Sequence, residues 1–155
     1  MAMNLFIFLF AFLALSCNEK VDLQKERSAI LDLLAKERNA HFEKNVTLFM
    51  SEFSDGMISV NRGVVMAASR DTTYKRIDKY FRSVDFVKWD DLVPPQINFS
   101  KDGSLAYAIV QKQVILSLKD SLPKVVLDTK NFAWVSIYRK KGNEWKIECN
   151  ISTNK

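Results

Sequence analysis

The spacing of apolar residues divides the chain into a mainly helical part and an extended part. In the segment 21–42, three apolar side chains and one histidine recur at intervals of seven, four and seven positions: Leu23, Ile30, Leu34 and His41. These intervals place all four on one stripe of an α-helix. The pattern therefore predicts a long helix whose stripe faces a core and ends near His41, the only histidine of the chain.

Two shorter helices are predicted after it. The spacing i, i+3, i+4 and i+7 is shared by Val46, Phe49, Met50 and Phe53, and the residues Ser-Asp-Gly at 54–56 are expected to end that helix. Ser69 is placed to cap a third helix. The apolar stripe of this helix consists of Tyr74, Ile77, Phe81 and Val84.

The other segments have the period of two that is typical of strands. Residues 57–60 and 64–66 flank a tight Asn-Arg-Gly turn, which predicts a hairpin with Gly63 at positive φ. Further extended segments follow at 85–93, 94–100, 104–118, 131–140 and 145–152. The order of elements predicts an α+β fold, in which three N-terminal helices pack on a strongly curved, mostly antiparallel sheet.

Alternation along the segment 104–118 assigns its side chains to two faces. Both faces are largely apolar, so we expect one to cover the helices and the other to form a homodimer. Tyr107 and Gln111 are the polar residues of this strand that we expect to reach a ligand.

The last two strands carry most of the remaining aromatic residues. In the final strand one apolar face is formed by Trp145, Ile147, Cys149 and Ile151, and we expect it to pack against the first helix. In the segment 131–139 one face carries Trp134, Ser136 and Tyr138. The pattern leaves open whether that face looks inward.

The N-terminus has the pattern of an export signal. An apolar run at 5–15 ends in Ala-Leu-Ser and is too short to cross a bilayer, which takes roughly 20 residues. Cys17 follows directly, and the sequence Leu-Ala-Leu-Ser-Cys resembles the lipobox of bacterial lipoproteins. This resemblance implies a signal peptide at 1–16, a lipidated anchor at Cys17 with a short linker at 17–25, and a place in the bacterial cell envelope. An ordinary exported protein is the alternative.

Composition removes several classes of function. The net charge of +5 comes from 23 basic residues spread among 18 acidic ones, without basic and aromatic residues interleaved along one strand, so we expect no nucleic-acid partner. One histidine and two cysteines show no metal-ligand spacing, and the four glycines form no phosphate-binding loop. We therefore expect neither a metal nor a cofactor. With Cys17 lipidated, Cys149 has no partner for a disulfide.

Three stretches carry a resemblance to a known family: residues 48–63, 102–110 and 132–147. They are similar to the nuclear transport factor 2-like superfamily, in its SnoaL-like bacterial branch, and the resemblance covers about residues 26–152. It implies a cone-shaped domain with a pocket at its wide end. Such domains include isomerases, dehydratases and hydrolases as well as binding and assembly modules without catalysis, so the resemblance leaves the reaction open.

His41 is the first candidate for chemistry in such a pocket. A lone histidine on a core-facing stripe is in most proteins a hydrogen-bonded structural residue, but near neutral pH it is also suited to act as an acid or base. Glu37, one turn earlier, is placed to orient the ring. Trp89 is expected to form an apolar wall. Asp91 is the second catalytic candidate. It lies two positions after Trp89, and side chains two positions apart on a strand share a face.

Two hypotheses about function follow. The first is an exported lipoprotein whose pocket binds a small, mostly apolar or aromatic ligand through His41, Trp89, Tyr107 and Gln111, or whose domain serves as an assembly module. The second is an enzyme of the isomerase, dehydratase or hydrolase type that performs acid-base chemistry with His41 and Asp91.

Overall fold

The structure, a computed structural model, describes residues 21–118 and 126–154. The predicted signal peptide at 1–16 and the predicted lipidation site Cys17 lie outside the described residues. Within the described part of the chain, no helix combines the length and apolar character needed to cross a bilayer.

Each helix begins at a side chain that accepts hydrogen bonds from the first turn. The helices are α1 (Leu23–Phe42), α2 (Val46–Met50) and α3 (Arg70–Ser83). Asp22, Asn45 and Ser69 occupy their N-caps, and each side chain accepts from backbone N–H groups of the helix that follows. The predicted cap at Ser69 is therefore confirmed, because its hydroxyl accepts from the N–H of Thr72 at 3.2 Å.

In residues 21–118 and 126–154, seven strands form one mixed sheet. They are β1 (Phe53–Asn61), β2 (Val64–Met66), β3 (Val84–Asp91), β4 (Gln96–Phe99), β5 (Leu105–Leu118), β6 (Val126–Lys141) and β7 (Glu144–Asn154). The order is β2-β1-β7-β6-β5-β3, and β4 pairs with the other half of the β5 edge. Strands β1 and β7 run parallel, and the other pairs are antiparallel. The α+β class is confirmed.

The segment around Phe53 differs from its predicted helix. Helix α2 ends at Met50, and Phe53 begins β1, where it pairs with Ile147 of β7. Phe53 has the spacing of a helical stripe, but its buried position in the sheet decides its conformation. The residues at 54–56 lie inside β1 and do not end a helix. The predicted hairpin after them is confirmed, with Gly63 at a φ of 75°.

A bulge in β7 changes which side chains face inward. Ile137 pairs with Cys149, whereas the next residue, Tyr138, pairs with Ile147, so Glu148 is an extra residue in β7. The extra residue inverts the alternation beyond it. Trp145 and Ile147, before the bulge, are buried as expected. After the bulge the prediction of an apolar inner face is wrong: Ile151 is 40% exposed, and its neighbours Asn150 and Ser152 line the interior.

The core lies between the helices and one face of the sheet. Helical side chains such as Ile30 and Phe81 pack in one cluster with strand side chains such as Trp89 and Tyr138. The face of β6 that carries Trp134, Ser136 and Tyr138 is the inner one, which answers the question that the sequence leaves open.

A buried ionic contact closes one end of this core. Glu26, in the first turn of α1, accepts a hydrogen bond from Nζ of Lys140 at 2.6 Å and one from Nε1 of Trp145 at 2.7 Å. These donors hold the pKa of the Glu26 carboxyl below its usual value, although burial acts in the opposite direction. The contact ties α1 to the turn between β6 and β7.

Candidate functional site

A cavity of about 260 Å³ lies between the last two turns of α1, helix α3 and the inner face of the sheet. Six aromatic residues line it: Phe49, Phe53, Tyr80, Trp89, Phe132 and Trp134. Polar side chains come from β1 and β7, where Ser59, Asn61, Asn150 and Ser152 line the cavity. Two titratable residues of α1, Glu37 and His41, also line the cavity, together with Arg76 of α3, and the two residues of α1 make this cavity the candidate site.

A wider hollow of about 520 Å³ lies beside it, between β1 and the start of α3. The titratable residues that line this hollow are Asp55 and Arg70. Both are exposed, and their side chains form an ion pair with 3.7 Å between Nη1 and Oδ1. A solvated ion pair of this kind offers little for recognition or chemistry, so the smaller cavity is the better candidate.

His41 lies in the last turn of α1 and is 4% exposed. Its ring stacks on Trp89 with 3.8 Å between ring centroids, and three phenylalanine rings lie 5.0 to 5.2 Å away: Phe49, Phe81 and Phe86. Nδ1 lies 2.7 Å from the backbone carbonyl oxygen of Glu37. Because a carbonyl oxygen only accepts, the proton of the neutral ring is assigned to Nδ1, and Nε2 keeps its lone pair.

The imidazole of His41 is neutral at physiological pH. Burial lowers its pKa to about 4, with a contribution from the positive charge of Lys112, while the hydrogen bond to the Glu37 carbonyl acts in the opposite direction. A ring that is enclosed by aromatic side chains and bound to the backbone has the features of a structural histidine.

Glu37 is the titratable carboxyl group of the cavity. It lies one turn before His41, and no hydrogen bond or ion pair joins its carboxyl group to any side chain in the described part of the chain. Burial raises its pKa to about 7, and the charge of Asp91 acts in the same direction, whereas Lys112 lowers it. A carboxyl group with this pKa exchanges its proton near neutral pH.

Glu52 is a second carboxyl group without a partner. It follows α2, is 1% exposed, and neither of its carboxyl oxygens has a hydrogen-bond partner among the described residues. Burial, followed by the negative charge of Glu37, raises its pKa to about 9, which Lys36 and Lys146 lower only in part. Glu52 therefore keeps its proton at neutral pH. Burial and the same two carboxyl groups also raise the pKa of Tyr138.

The structure separates the predicted site residues. His41 and Trp89 lie together in the cavity wall. Asp91 lies outside the set of residues that line the cavity, and its Oδ1 accepts from Nζ of the buried Lys112 at 2.6 Å. The predicted position of Asp91 in the pocket is therefore corrected. At the end of β3, its carboxylate forms an ion pair with Lys112 instead.

Tyr107 and Gln111 lie on the opposite face of β5. Tyr107 is 42% exposed and Gln111 is also exposed, while the inner face of the strand is formed by Ala106, Ala108, Val110 and Lys112. Their expected position in the pocket is therefore corrected, because alternate residues of a strand point to opposite faces. With the exposed Ile109 they form part of the outer surface. Homodimerisation through that surface stays a prediction.

Sequence reasoning missed Glu52, Lys112 and the polar pair Asn150 and Ser152. A signal existed for Glu52, since this charged residue stands between Met50 and Phe53 within an apolar stretch. Lys112 likewise interrupts the apolar inner face of β5. Asn150 and Ser152 reach the cavity only because of the bulge at Glu148, which leaves no recognisable trace in the sequence.

No protein-family model and no curated protein matches this sequence. Solved structures do match. LinA aligns with a TM-score of 0.68 at 13% identity, over 86% of this chain and 88% of LinA. A ketosteroid isomerase-like protein from Erwinia carotovora aligns with a TM-score of 0.66 at 13% identity, over 84% of this chain and 96% of that protein. An NTF2-like protein with a cystatin-like fold from Novosphingobium aromaticivorans aligns with a TM-score of 0.65 at 14% identity, over 84% and 82%.

The chain has the nuclear transport factor 2-like fold. At identities of 13 to 14%, the likeness concerns the NTF2-like fold alone, and the function has to be argued from the residues of the cavity.

Proposed function

We propose that this chain is an exported lipoprotein of the SnoaL-like branch, whose cone-shaped NTF2-like domain binds a small, mostly apolar molecule without turnover. The observation that carries the proposal is the cavity wall, in which six aromatic rings surround a space of about 260 Å³. Apolar walls with a few convergent polar groups are the usual composition of small-molecule sites. The volume lies just below the roughly 300 Å³ at which drug-sized sites begin, so the ligand is a small one.

His41 supports binding over acid-base catalysis by this residue. With a pKa of about 4, its ring carries a proton in only about one molecule in a thousand at pH 7. An efficient acid or base has a pKa near the working pH. The described contacts of His41 are one backbone carbonyl and four aromatic rings, so polar groups do not converge on it.

Glu37 favours a second candidate function, an acid-base enzyme of the isomerase, dehydratase or hydrolase type. Its pKa of about 7 and its place in the cavity lining suit a proton-transfer group. Turnover would appear as new product signals when a bound compound is incubated with the chain. Under this candidate, Glu37→Gln stops product formation and His41→Phe does not.

The lipid anchor and the cavity would lie at opposite ends of α1. From Leu23, where α1 begins, to Glu37 the helix extends for about 21 Å at 1.5 Å per residue. Labelling with an alkyne analogue of palmitate in a bacterial host tests the proposed lipid anchor at Cys17. We expect label on the native chain and on Cys149→Ser, and none on Cys17→Ser; label on Cys17→Ser would contradict it.

Ligand binding is tested by calorimetry with indole and 2-naphthol as probes. Ser152→Phe places a ring into the cavity, whereas Thr153→Phe, its matched control, places the same ring on the exposed face of β7. The proposal predicts binding to the native chain and to Thr153→Phe, and loss of binding in Ser152→Phe. Equal binding by both variants would place the ligand elsewhere. If neither probe binds the native chain, the proposed ligand binding is wrong, and the alternative that the domain serves as an assembly module is favoured.

A further inference from the structure

The cavity lining contains one carboxyl group, several aromatic rings and one cationic residue, Arg76, which forms no ion pair with the carboxyl group. Arg76, the basic residue in the lining, is exposed on α3, where its Nη1 lies 3.6 Å from the sulfur of Met66. Lys112 is buried nearby, but its Nζ is held by Asp91 at 2.6 Å. The Glu37 carboxyl group is therefore left without a positive partner in the described part of the chain.

Two other carboxyl groups are each paired with a cation, whereas the buried Glu52 is not. Glu26 has Lys140 at 2.6 Å, and Asp91 has Lys112 at the same distance. A buried carboxylate without such a partner is unfavourable, which is why its pKa rises. The fold tolerates this at Glu37, where the carboxyl group faces an open cavity and not packed side chains.

Aromatic rings are the second feature. Trp89 and Tyr80 line the same cavity as Glu37, together with Phe49 and Trp134. The faces of such rings carry partial negative charge and attract organic cations, most strongly where water is excluded. A carboxylate and several aromatic rings around one small space are complementary to an ammonium group attached to an apolar body.

We propose that the cavity ligand is a small apolar amine in its protonated form, whose ammonium group is bound by the carboxylate of Glu37 and by the surrounding ring faces. This inference rests on the proposed binding function and specifies the chemical class of the ligand. A neutral ligand with a hydrogen-bond acceptor, which would bind the protonated form of Glu37, is the competing outcome.

The charged and titratable groups that face Glu37 define how binding depends on pH. They are His41 on α1, Glu52 after α2, Arg76 and Tyr80 on α3, Asp91 on β3, Lys112 on β5 and Tyr138 on β6. His41 and Glu52 are neutral at pH 7, and both tyrosines have a raised pKa. Glu37 is therefore the group that changes charge between pH 6 and pH 8. Amine binding should strengthen over this interval, and binding of a neutral acceptor should weaken.

The test compares three probes of one shape: phenethylamine, 2-phenylethanol and phenylacetate. Calorimetry uses the full chain in phosphatidylcholine nanodiscs, with empty nanodiscs as the blank. At pH 8 we expect phenethylamine to bind at least about tenfold more tightly than 2-phenylethanol, and phenylacetate to bind most weakly; a tenfold difference corresponds to about 1.4 kcal/mol. At pH 6 the preference for the amine should shrink several-fold.

Three variants assign the preference to a residue. Glu37→Gln should remove the preference for the amine while 2-phenylethanol still binds. Glu52→Gln is the matched control inside the protein, because Glu52 is already uncharged at neutral pH, and Glu43→Gln removes an exposed charge of the same helix end. Both controls should keep the preference.

The outcomes separate the inference from the function on which it rests. If 2-phenylethanol binds and the amine binds no better at pH 8, the amine inference is wrong and the binding function stands. If all three probes and indole fail to bind, both fail. An amine preference that persists in Glu37→Gln would also overturn the inference. The pH profile of the native chain gives the same answer without a variant, should Glu37→Gln fold poorly.

Discussion

Glu26 and Glu52 are both buried glutamates, but their surroundings differ completely. Glu26 is 7% exposed and receives hydrogen bonds from Lys140 and Trp145. Glu52 is 1% exposed and receives none from the described residues. The pKa is lowered at Glu26 and raised to about 9 at Glu52. Burial alone therefore says little about a carboxyl group, since its partners decide whether it is charged.

The comparison extends along α1 to the cavity. Glu37 lies about three turns after Glu26 on the same helix, and its carboxyl group has no hydrogen-bond donor and no ion-pair partner among the described residues. The start of α1 thus carries a glutamate that stabilises the fold. The end of α1 carries one that the fold leaves available to a ligand.

The largest expected effect on stability concerns Glu26, the glutamate whose carboxylate has hydrogen-bond partners. Glu26→Ala removes the carboxylate and leaves Lys140 and the buried Nε1 of Trp145 without their acceptor. Breaking a buried pair in this way costs about 3 kcal/mol of the free energy of unfolding. Urea unfolding at pH 7 measures the change. A loss below about 1 kcal/mol would show that the contact does not hold α1 to the sheet.

The Glu26 contribution should also depend on pH. Its pKa is lower in the folded chain than in the unfolded one, so the stabilisation is present above the unfolded value of about 4.5 and is lost as the pH falls through the folded value. The difference in stability between the native chain and Glu26→Ala should therefore shrink in acid.

The next effect has the opposite sign. Glu52→Met replaces an unpartnered carboxyl group by an unbranched apolar side chain of similar length, and we expect it to stabilise the fold by about 1 to 3 kcal/mol at pH 7. Urea unfolding is again the measurement, with the solvated Glu43→Met as the control, expected to change stability by less than about 0.5 kcal/mol. Destabilisation by Glu52→Met would reveal a partner for this carboxyl group.

Glu52 predicts a distinct pH dependence as well. Between pH 7 and pH 9 the folded chain keeps the Glu52 proton and the unfolded chain has lost it, so stability falls with rising pH. The expected slope is on the order of 1 kcal/mol per pH unit. It should be absent in Glu52→Met.

The smallest effect concerns His41. His41→Phe keeps an aromatic ring against Trp89 and loses one hydrogen bond to the backbone, so stability at pH 7 should change by less than about 1.5 kcal/mol. In acid the two chains should differ. The folded pKa of about 4 lies below the unfolded value of about 6.5, so the native chain loses stability as the pH falls between them and the variant does not. Equal acid sensitivity would show that His41 is accessible to protons.

Elements that depend only on neighbouring residues are predicted correctly from local patterns in the sequence. Helix α1, the cap at Ser69 and the hairpin at Gly63 each depend on neighbouring residues, and the structure contains all three. Of the predicted stripe of α1, Ile30, Leu34 and His41 are buried, whereas Leu23 is 49% exposed. Trp89 was expected in the pocket wall and lines the cavity. These features follow from propensity and periodicity alone.

The rest of the site depends on long-range pairing. Tyr107 and Gln111 are predicted to reach a ligand, but both faces of β5 are largely apolar, so alternation alone cannot decide which face looks inward. The bulge at Glu148 brings Ser152 into the cavity, and it is visible only in the register between β6 and β7. The burial of Glu52 can be predicted only if it is known that the residues after α2 enter the interior.

The central claim is that α1 presents an unpartnered carboxyl group to the cavity, and a carbon NMR titration of the side-chain carboxyl groups in glutamate-labelled chain tests it most directly. The account predicts one signal with a midpoint near pH 7 that disappears in Glu37→Gln, and whose midpoint moves to lower pH when phenethylamine is added. If every glutamate signal instead titrates between about pH 3.5 and pH 5, as in solvated side chains, the claim that Glu37 is an unpartnered carboxyl group with a raised pKa is wrong.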